Sequence, residues 1–331
     1  MADPLPTMRD YVLFETDQLL PAAWQGFTRT GPVRAFNPAL LPDGDGFIFA
    51  YRVVGPDGFR RIALCRLDED LEVVADSPIE LTDFIRFQAD REYEGPAKTW
   101  FADPRLYRLN SRIFIYWNSG WHEPRNYQFI QELDAKLLRP IGQPRELLLR
   151  GPRQKLEKNW TLFGDGPFYA VYSVAPHRVL RFSIEGTGDI EFYDEAVEHW
   201  DAEAYVRGHG PLRGGAPPLL IDGHYWSICH TVNGTDGNYR YAPAAYRFQT
   251  AHPFTPNAVP TKPLAFGGER DLSRHFPKLN PAVGEVIYPC GAAYRDGRWL
   301  ISHGVNDERC AIAVVSHVHV AACVRPLGRT G

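Results

Sequence analysis

Methionine is scarce, with two residues in a chain of 331, and no stretch reaches the roughly 18 consecutive apolar residues that a membrane-spanning helix needs. The opening MADPLPTMRDYVLF has no basic segment followed by an apolar one, so neither a secretory leader nor a membrane span is expected and a cytoplasmic protein is. Positive charge is not in excess: the formal net charge is −4, which leaves no basic field for nucleic acid or an anionic membrane surface. The five cysteines, Cys65, Cys229, Cys290, Cys310 and Cys323, are odd in number, far apart and without a Cys-x-x-Cys pair. That pattern excludes a disulfide framework and a structural zinc site, and the thiols read as small buried apolar groups. A Walker loop, a Gly-x-Ser-x-Gly elbow and a dinucleotide fingerprint are also missing.

Aromatic residues make up 13% of the chain, with 29 glycines and 28 prolines, a composition suited to many short strands joined by tight turns. An all-β protein is expected. A loose unit recurs five times, opening at FNPALL (Asn37), FADPRL (Asp103), EKNWTLF (Asn159), RGGAPPLL (Gly215) and YPCGAAY (Cys290), about 55 to 75 residues apart. Each opening is followed by a polar turn (PDGDG, LNS, GDG, IDG, RDG) and a strong β run such as GFIFAYRV or RIFIYWN, then by a third strand. A radial array hides its strand edges, so the expectation is a five-bladed β-propeller formed by residues 1–331 as a single domain, with a central axial pocket. A pair of β-sandwiches would not repeat one order of step, turn and strand five times.

In a propeller the opening strand of each blade lies beside the axis, so the five steps should converge. The carboxylates nearby are Asp103, Glu157 and Asp307 of HGVNDE, and paired carboxylates break glycosidic bonds. An Asp-Pro step also starts turns through its own side chain, so residue type leaves Asp103 open between turn-maker and acid. Lys158, Arg178, Arg213 and His230 recur at neighbouring steps and could form an anion cradle, although each taken singly also reads as a solvated or strand-edge charge. His317 and His319 in SHVHV fall on one strand face but lack a third ligand, so no metal site is expected.

These steps together resemble glycoside hydrolase family 130, the β-mannoside phosphorylases, and the related β-mannosyltransferases. Ala102-Asp103-Pro104-Arg105 stands where the family has Glu-Asp-Pro-Arg, Lys158-Asn159 resembles its Lys/Arg-Asn step, and His177-Arg178 its His-Arg pair. Arg213-Gly-Gly-Ala-Pro-Pro through His230 resembles a Lys followed by Gly-Pro-Pro and a strand ending in Tyr-His. Tyr288-Pro-Cys-Gly and Gly304-Val-Asn-Asp307 resemble a late Phe-Pro-Cys-Gly and Gly-Ala-Ala-Asp, and Asn37-Pro38 is a weaker echo in the first unit. The likeness spans roughly residues 95 to 315.

The resemblance implies a cofactor-free, metal-free inverting enzyme that moves a glycosyl unit, mannosyl by analogy, between an oligosaccharide or sugar acceptor and inorganic phosphate, a sugar phosphate or a nucleotide sugar. Asp103 would be the general acid, acting across a sugar hydroxyl. Lys158, Arg178, Arg213 and His230 would hold phosphate, and Asn37, Arg105, Asn159 and Asp307 would contact substrate. Two departures stand out, Ala102 for the family Glu and Arg213 for Lys. The rivals are a hydrolase of the same fold, in which Glu157 or another acid activates water, a sugar-nucleotide-dependent transferase, and a non-catalytic glycan-binding propeller.

Overall fold

The structure is a computed structural model that describes residues 10–89, 91–93, 97–235, 238–266 and 274–328. The residues on which the reading of an absent leader chiefly rests lie outside these. The described chain is all-β: no helix in it exceeds a few turns, and none is long and apolar enough to cross a membrane.

After β1 (Tyr11–Phe14), the chain runs through β2 (Arg34–Asp43), β3 (Gly46–Val54), β4 (Arg60–Leu67) and β5 (Ile79–Glu80), which form an antiparallel four-stranded sheet. Next come β6 (Ala102–Leu109), β7 (Arg112–Asn118), β8 (Gln128–Leu133) and β9 (Pro140–Leu149), then β10 (Thr161–Phe163), β11 (Phe168–Ser173), β12 (His177–Phe182) and β13 (Ile190–Glu198). These two antiparallel meanders join through a parallel pairing of β13 with β9 into one sheet of eight strands. The remainder is β14 (Leu212–Arg213), β15 (Leu219–Ile221), β16 (His224–Thr235), β17 (Asn238–Gln249), β18 (Pro256–Pro260), β19 (Val283–Arg295), β20 (Arg298–Val305), β21 (Arg309–Ser316) and β22 (Val324–Pro326). A parallel contact of β17 with β19 unites them in a ten-stranded sheet.

The tight turns behave as their residues dictate. Asp222-Gly223 and Asp296-Gly297 both have positive φ, the conformation a two-residue hairpin requires, and Asp and Gly reach it at least cost. The last meander is completed from the other end of the chain: β1 adds to the outer edge of β21, with Tyr11 opposite Ala313 and Phe14 opposite Cys310.

Apolar layers fill the spaces between successive meanders. Ile48 and Leu64 pack with Ile115 and Phe129, Tyr116 and Ile130 with Leu180 and Phe192, and Val179 with Tyr246 and Phe248. Trp226 and Ile228 meet Trp299 and Ile301, and Leu300 and Ile312 return to Phe49 and Tyr51. Burial of each such side chain is worth about 1.5–3 kcal/mol relative to exposure. All five cysteines are free and buried, as small apolar residues would be.

One local expectation fails. His317 and His319 do not share a strand face, because β21 stops at Ser316 and a short helix runs from His317 to Ala321. Ser316 caps that helix by accepting a hydrogen bond from the His319 backbone N–H, which favours helix over strand. Among the described residues no group of three or more His, Cys, Asp or Glu is placed to hold a metal.

Candidate active site

The first two opening steps depart from the strand ladder in the same way. Pairing of β2 with β3 breaks between Phe36 and Ala39, and pairing of β6 with β7 breaks between Ala102 and Arg105. Asn37 and Asp103 sit in those bulges with φ of 53° and 51°, and Asn159, ahead of β10, has φ of 65°. Among residues with a Cβ, Asn and Asp enter this left-handed region most easily. A bulge re-aims its side chain, and here it turns both residues into one cavity, where Asn37 Nδ2 donates to Asp103 Oδ1 at 2.9 Å.

The cavity has a volume of about 490 Å³. Of the residues picked out in the sequence, Asn37, Asp103, Lys158, Asn159, Arg213, His230 and Asp307 all line it. Arg105 does not line it and lies just beneath, wholly buried. Its Nε donates to the Gly215 carbonyl at 2.8 Å, one Nη to the Asp103 carbonyl at 3.3 Å, and the other to the Tyr288 hydroxyl at 3.1 Å. Tyr288 in turn donates to Asn159 Oδ1 at 2.6 Å. One guanidinium thus ties four opening steps together from below.

Arg178 is not brought into the cavity. Its Nε donates to Asp194 at 2.6 Å and its guanidinium lies over the Tyr172 ring, on the neighbouring strands. Glu157 is also absent from the lining. Its buried carboxylate accepts from the Gln154 N–H, the Trp160 indole and the Tyr172 hydroxyl. Its backbone is held twice by the Asn126 amide, so this residue fixes the loop that carries Lys158 and Asn159.

The sequence reading missed Arg52, whose guanidinium lies 3.7 Å from Asp103 Oδ1 and over the Phe36 ring. A signal was available, since Arg52 is the one charged residue in the apolar run FIFAYRVV. Arg60, Trp100, Trp121 and Tyr241 also line the cavity.

Burial raises the Asp103 carboxyl, but the charges of Arg52, Lys158 and Arg105 and the Asn37 hydrogen bond outweigh it, and its pKa falls below the usual range. Asp307 moves the other way. Burial lifts it and the nearby Asp103 charge adds to that, against the opposing pull of Arg52, Arg274 and Lys158. Burial lowers Lys158, with Asp103 opposing and Arg213 assisting. Burial, reinforced by Arg213, Arg105 and Lys158, drives His230 well below its ordinary value. At neutral pH His230 is therefore uncharged and offers an anion a ring N–H, beside the amine of Lys158 and the guanidinium fork of Arg213.

No family model matches the chain, and no curated protein matches it in sequence. Solved structures do. The β-1,2-mannobiose phosphorylase of Listeria innocua, in complex with β-1,2-mannobiose, superposes over 95% of this chain and 99% of its own, with a TM-score of 0.59 at 12% identity. A structure from the GH130 family of mannoside phosphorylases, which contains glycoside hydrolases that target β-1,2 mannosidic linkages in Candida mannan, covers 94% and 95% with a TM-score of 0.59, again at 12% identity. A GDP-Man-dependent mannosyltransferase from Leishmania mexicana covers 94% and 91% with a TM-score of 0.55 at 12% identity. The chain therefore has the fold of glycoside hydrolase family 130 and its relatives. The solved proteins of that fold are named for phosphorolysis, hydrolysis and nucleotide-sugar transfer, so the fold by itself assigns no activity.

Proposed function

We propose that the chain is a carbohydrate-active enzyme of the cytoplasm, one domain built as a five-bladed propeller around an axial pocket, that transfers a mannosyl unit with inversion to or from phosphate. The observation that carries this reading is the meeting, in one cavity, of an ionisable Asp103 with Lys158, Arg213 and His230. A retaining or inverting hydrolase needs a second carboxylate that activates water or attacks the sugar; Glu157, the expected candidate, spends its carboxylate on three local donors, which leaves Asp307 as the acid a hydrolase would have to use here.

In the phosphorolytic direction Asp103 gives its proton, through a sugar hydroxyl, to the glycosidic oxygen as the bond from that oxygen to the anomeric carbon breaks. A phosphate oxygen attacks the anomeric carbon from the opposite face and forms the glycosyl phosphate. Asn37 and Asp307 contact the sugar, while Asn159, held by Tyr288, borders the anion. In the empty site the surrounding cations favour ionised Asp103. A phosphate docked on Lys158 and Arg213 cancels part of that field and raises the carboxyl's proton affinity, so proton loading is tied to phosphate occupancy. Arg178, engaged with Asp194, is left out of the set.

Proton NMR of the purified protein with mannose 1-phosphate and a panel of acceptor sugars, run beside GDP-mannose, tests the reading. Phosphate release coupled to a new β-linkage is the expected result. Turnover with GDP-mannose alone would make the protein a nucleotide-sugar transferase. Absence of transfer from either donor would overturn the proposal.

A further inference from the structure

The charges along the cavity form a series. His230 feels Arg213, Arg213 and Asp103 both act on Lys158, Asp103 feels Arg52 most strongly of its neighbouring cations, and Arg52 is the charge that acts on Arg60. The inner end, with Lys158, Arg213 and His230, is the phosphate site proposed above. The outer end holds Arg52 and Arg60, on the paired strands β3 and β4, and the aromatic residues Trp100 and Trp121.

The outer end has unmet donor capacity. Nε of Arg52, Nε of Arg60 and the Trp100 indole nitrogen are buried without a hydrogen-bond acceptor. Arg52 lies beside Asp103 and also acts on Asp307, whereas Arg60 has no ion pair among the described residues. Arg60 donates to the Gly58 carbonyl and lies over the Trp100 ring, 4.2 Å from its centroid, which holds the guanidinium at the cavity wall. Trp121 lines the same cavity with 62% of its surface exposed. An exposed indole at a cavity rim is a platform for a sugar ring. Arg60 therefore has no counter-charge of its own among the described residues, and a planar fork matches phosphate or carboxylate oxygens.

We propose that this outer end is a second subsite, which takes an acceptor sugar bearing a phosphate or carboxylate group: Trp121 stacks on the ring, and Arg52 and Arg60 receive the anion. The proposal rests on the glycosyl-transfer reading for the word acceptor, and on the outer cluster alone for the ligand. It makes the enzyme selective for anionic acceptors over their neutral parents.

Isothermal titration reads the subsite without turnover. Mannose, mannose 6-phosphate, glucuronate, GDP and inorganic phosphate are titrated into the wild-type protein and into Arg60→Gln, Arg60→Lys and Trp121→Ala. A charge-assisted contact is worth about tenfold or more in affinity, so at least one anionic sugar is expected to bind the wild type about tenfold tighter than mannose. Arg60→Gln should erase that ratio and Arg60→Lys should restore part of it, which separates loss of charge from loss of fold. Trp121→Ala should weaken sugars of both kinds and leave inorganic phosphate bound. Preference for mannose 6-phosphate or for glucuronate identifies which anion the subsite takes, and either supports the proposal.

Anionic sugars that bind no tighter than mannose, or a ratio unchanged in Arg60→Gln, would overturn it, as would GDP binding that alone responds to Arg60. If NMR detects no glycosyl transfer while the titrations follow the expected pattern, the transfer reading falls and the anionic-sugar subsite stands. Transfer to neutral and anionic acceptors with equal KM would do the reverse.

Discussion

The first three opening steps and the last two occupy corresponding places in the repeat and do opposite things. Asn37, Asp103 and Asn159 put polar side chains into the cavity from left-handed backbone. The steps at Gly215 and Cys290 have no left-handed residue: they bring Arg213 and Tyr288 to the cavity from ordinary backbone, and the glycines around them allow close approach. A Cβ at Gly214 would collide with the Asn159 carbonyl, and one at Gly304 would collide with the Asn37 amide oxygen. The left-handed steps are therefore seated against glycines of the later repeats, and a repeat that looks uniform in sequence is divided in how it reaches the cavity.

The hardest test of this division is Asp103→Asn, which keeps the shape and the Asn37 contact but cannot deliver a proton. General acid catalysis contributes about 10²–10⁴-fold, and turnover should drop by that factor with far-UV circular dichroism unchanged. Retained turnover would remove Asp103 from the chemistry. Next in size, Lys158→Ala and Arg213→Ala should each raise the phosphate concentration for half-maximal rate roughly ten- to a hundredfold, from the about 1.5–3 kcal/mol of a hydrogen bond to a charged group. On the glycine side, Gly304→Ala carries no chemistry, yet it should cost about 1–3 kcal/mol in stability and slow turnover by displacing Asn37. A Tm and rate equal to wild type would show that the support is not needed.

A subtler contrast lies in pH. The fold lowers the pKa of Asp103, so it stabilises the charged form; that contribution is present above the ordinary carboxyl pKa and fades as pH falls through the folded value. The fold raises Asp307, so its contribution is present in acid and lost as pH rises through the folded value. Asp103→Asn should therefore lower Tm at neutral pH, Asp307→Asn should raise it, and both differences should shrink in acid. Equal signs would contradict the opposed environments. The smallest effect is expected from Arg178→Ala. Its partner Asp194 is half exposed, such pairs contribute about 0–1 kcal/mol, and the phosphate dependence should stay within about twofold. A large rise would put Arg178 back among the phosphate ligands.

Strands and turns were legible because the signals are local: alternating apolar runs bounded by Asn, Asp and Gly turns. The pairing of β1 was not, because Tyr11–Phe14 is four residues long and its partner lies at the far end of the chain. Asp103, Lys158, Asn159 and Arg213 were found through their motifs. Arg52 was passed over because it sits inside a strand whose neighbours advertise core, and only the bulge at Asn37 and Asp103 explains how an arginine there meets the acid. Arg178 and Glu157 show the converse: residue type and position in a motif suggested the site, but local partners had claimed both side chains. The inner ligand His230 was visible as a residue, whereas its neutral state comes from burial beside Arg213, Arg105 and Lys158.

The pairing of Phe14 with Cys310 joins points about 300 residues apart. During synthesis β1 is made long before β21 and has no edge to join until β21 has left the ribosome, a few residues after Asp307. The loop that supplies Asp307 is bounded on one side by that strand, so the cavity wall is finished only when two strands about 300 residues apart meet. Activity should therefore appear late and all at once in a translating chain, and cleavage between Phe14 and Arg34 should loosen a wall whose own residues lie at the opposite terminus.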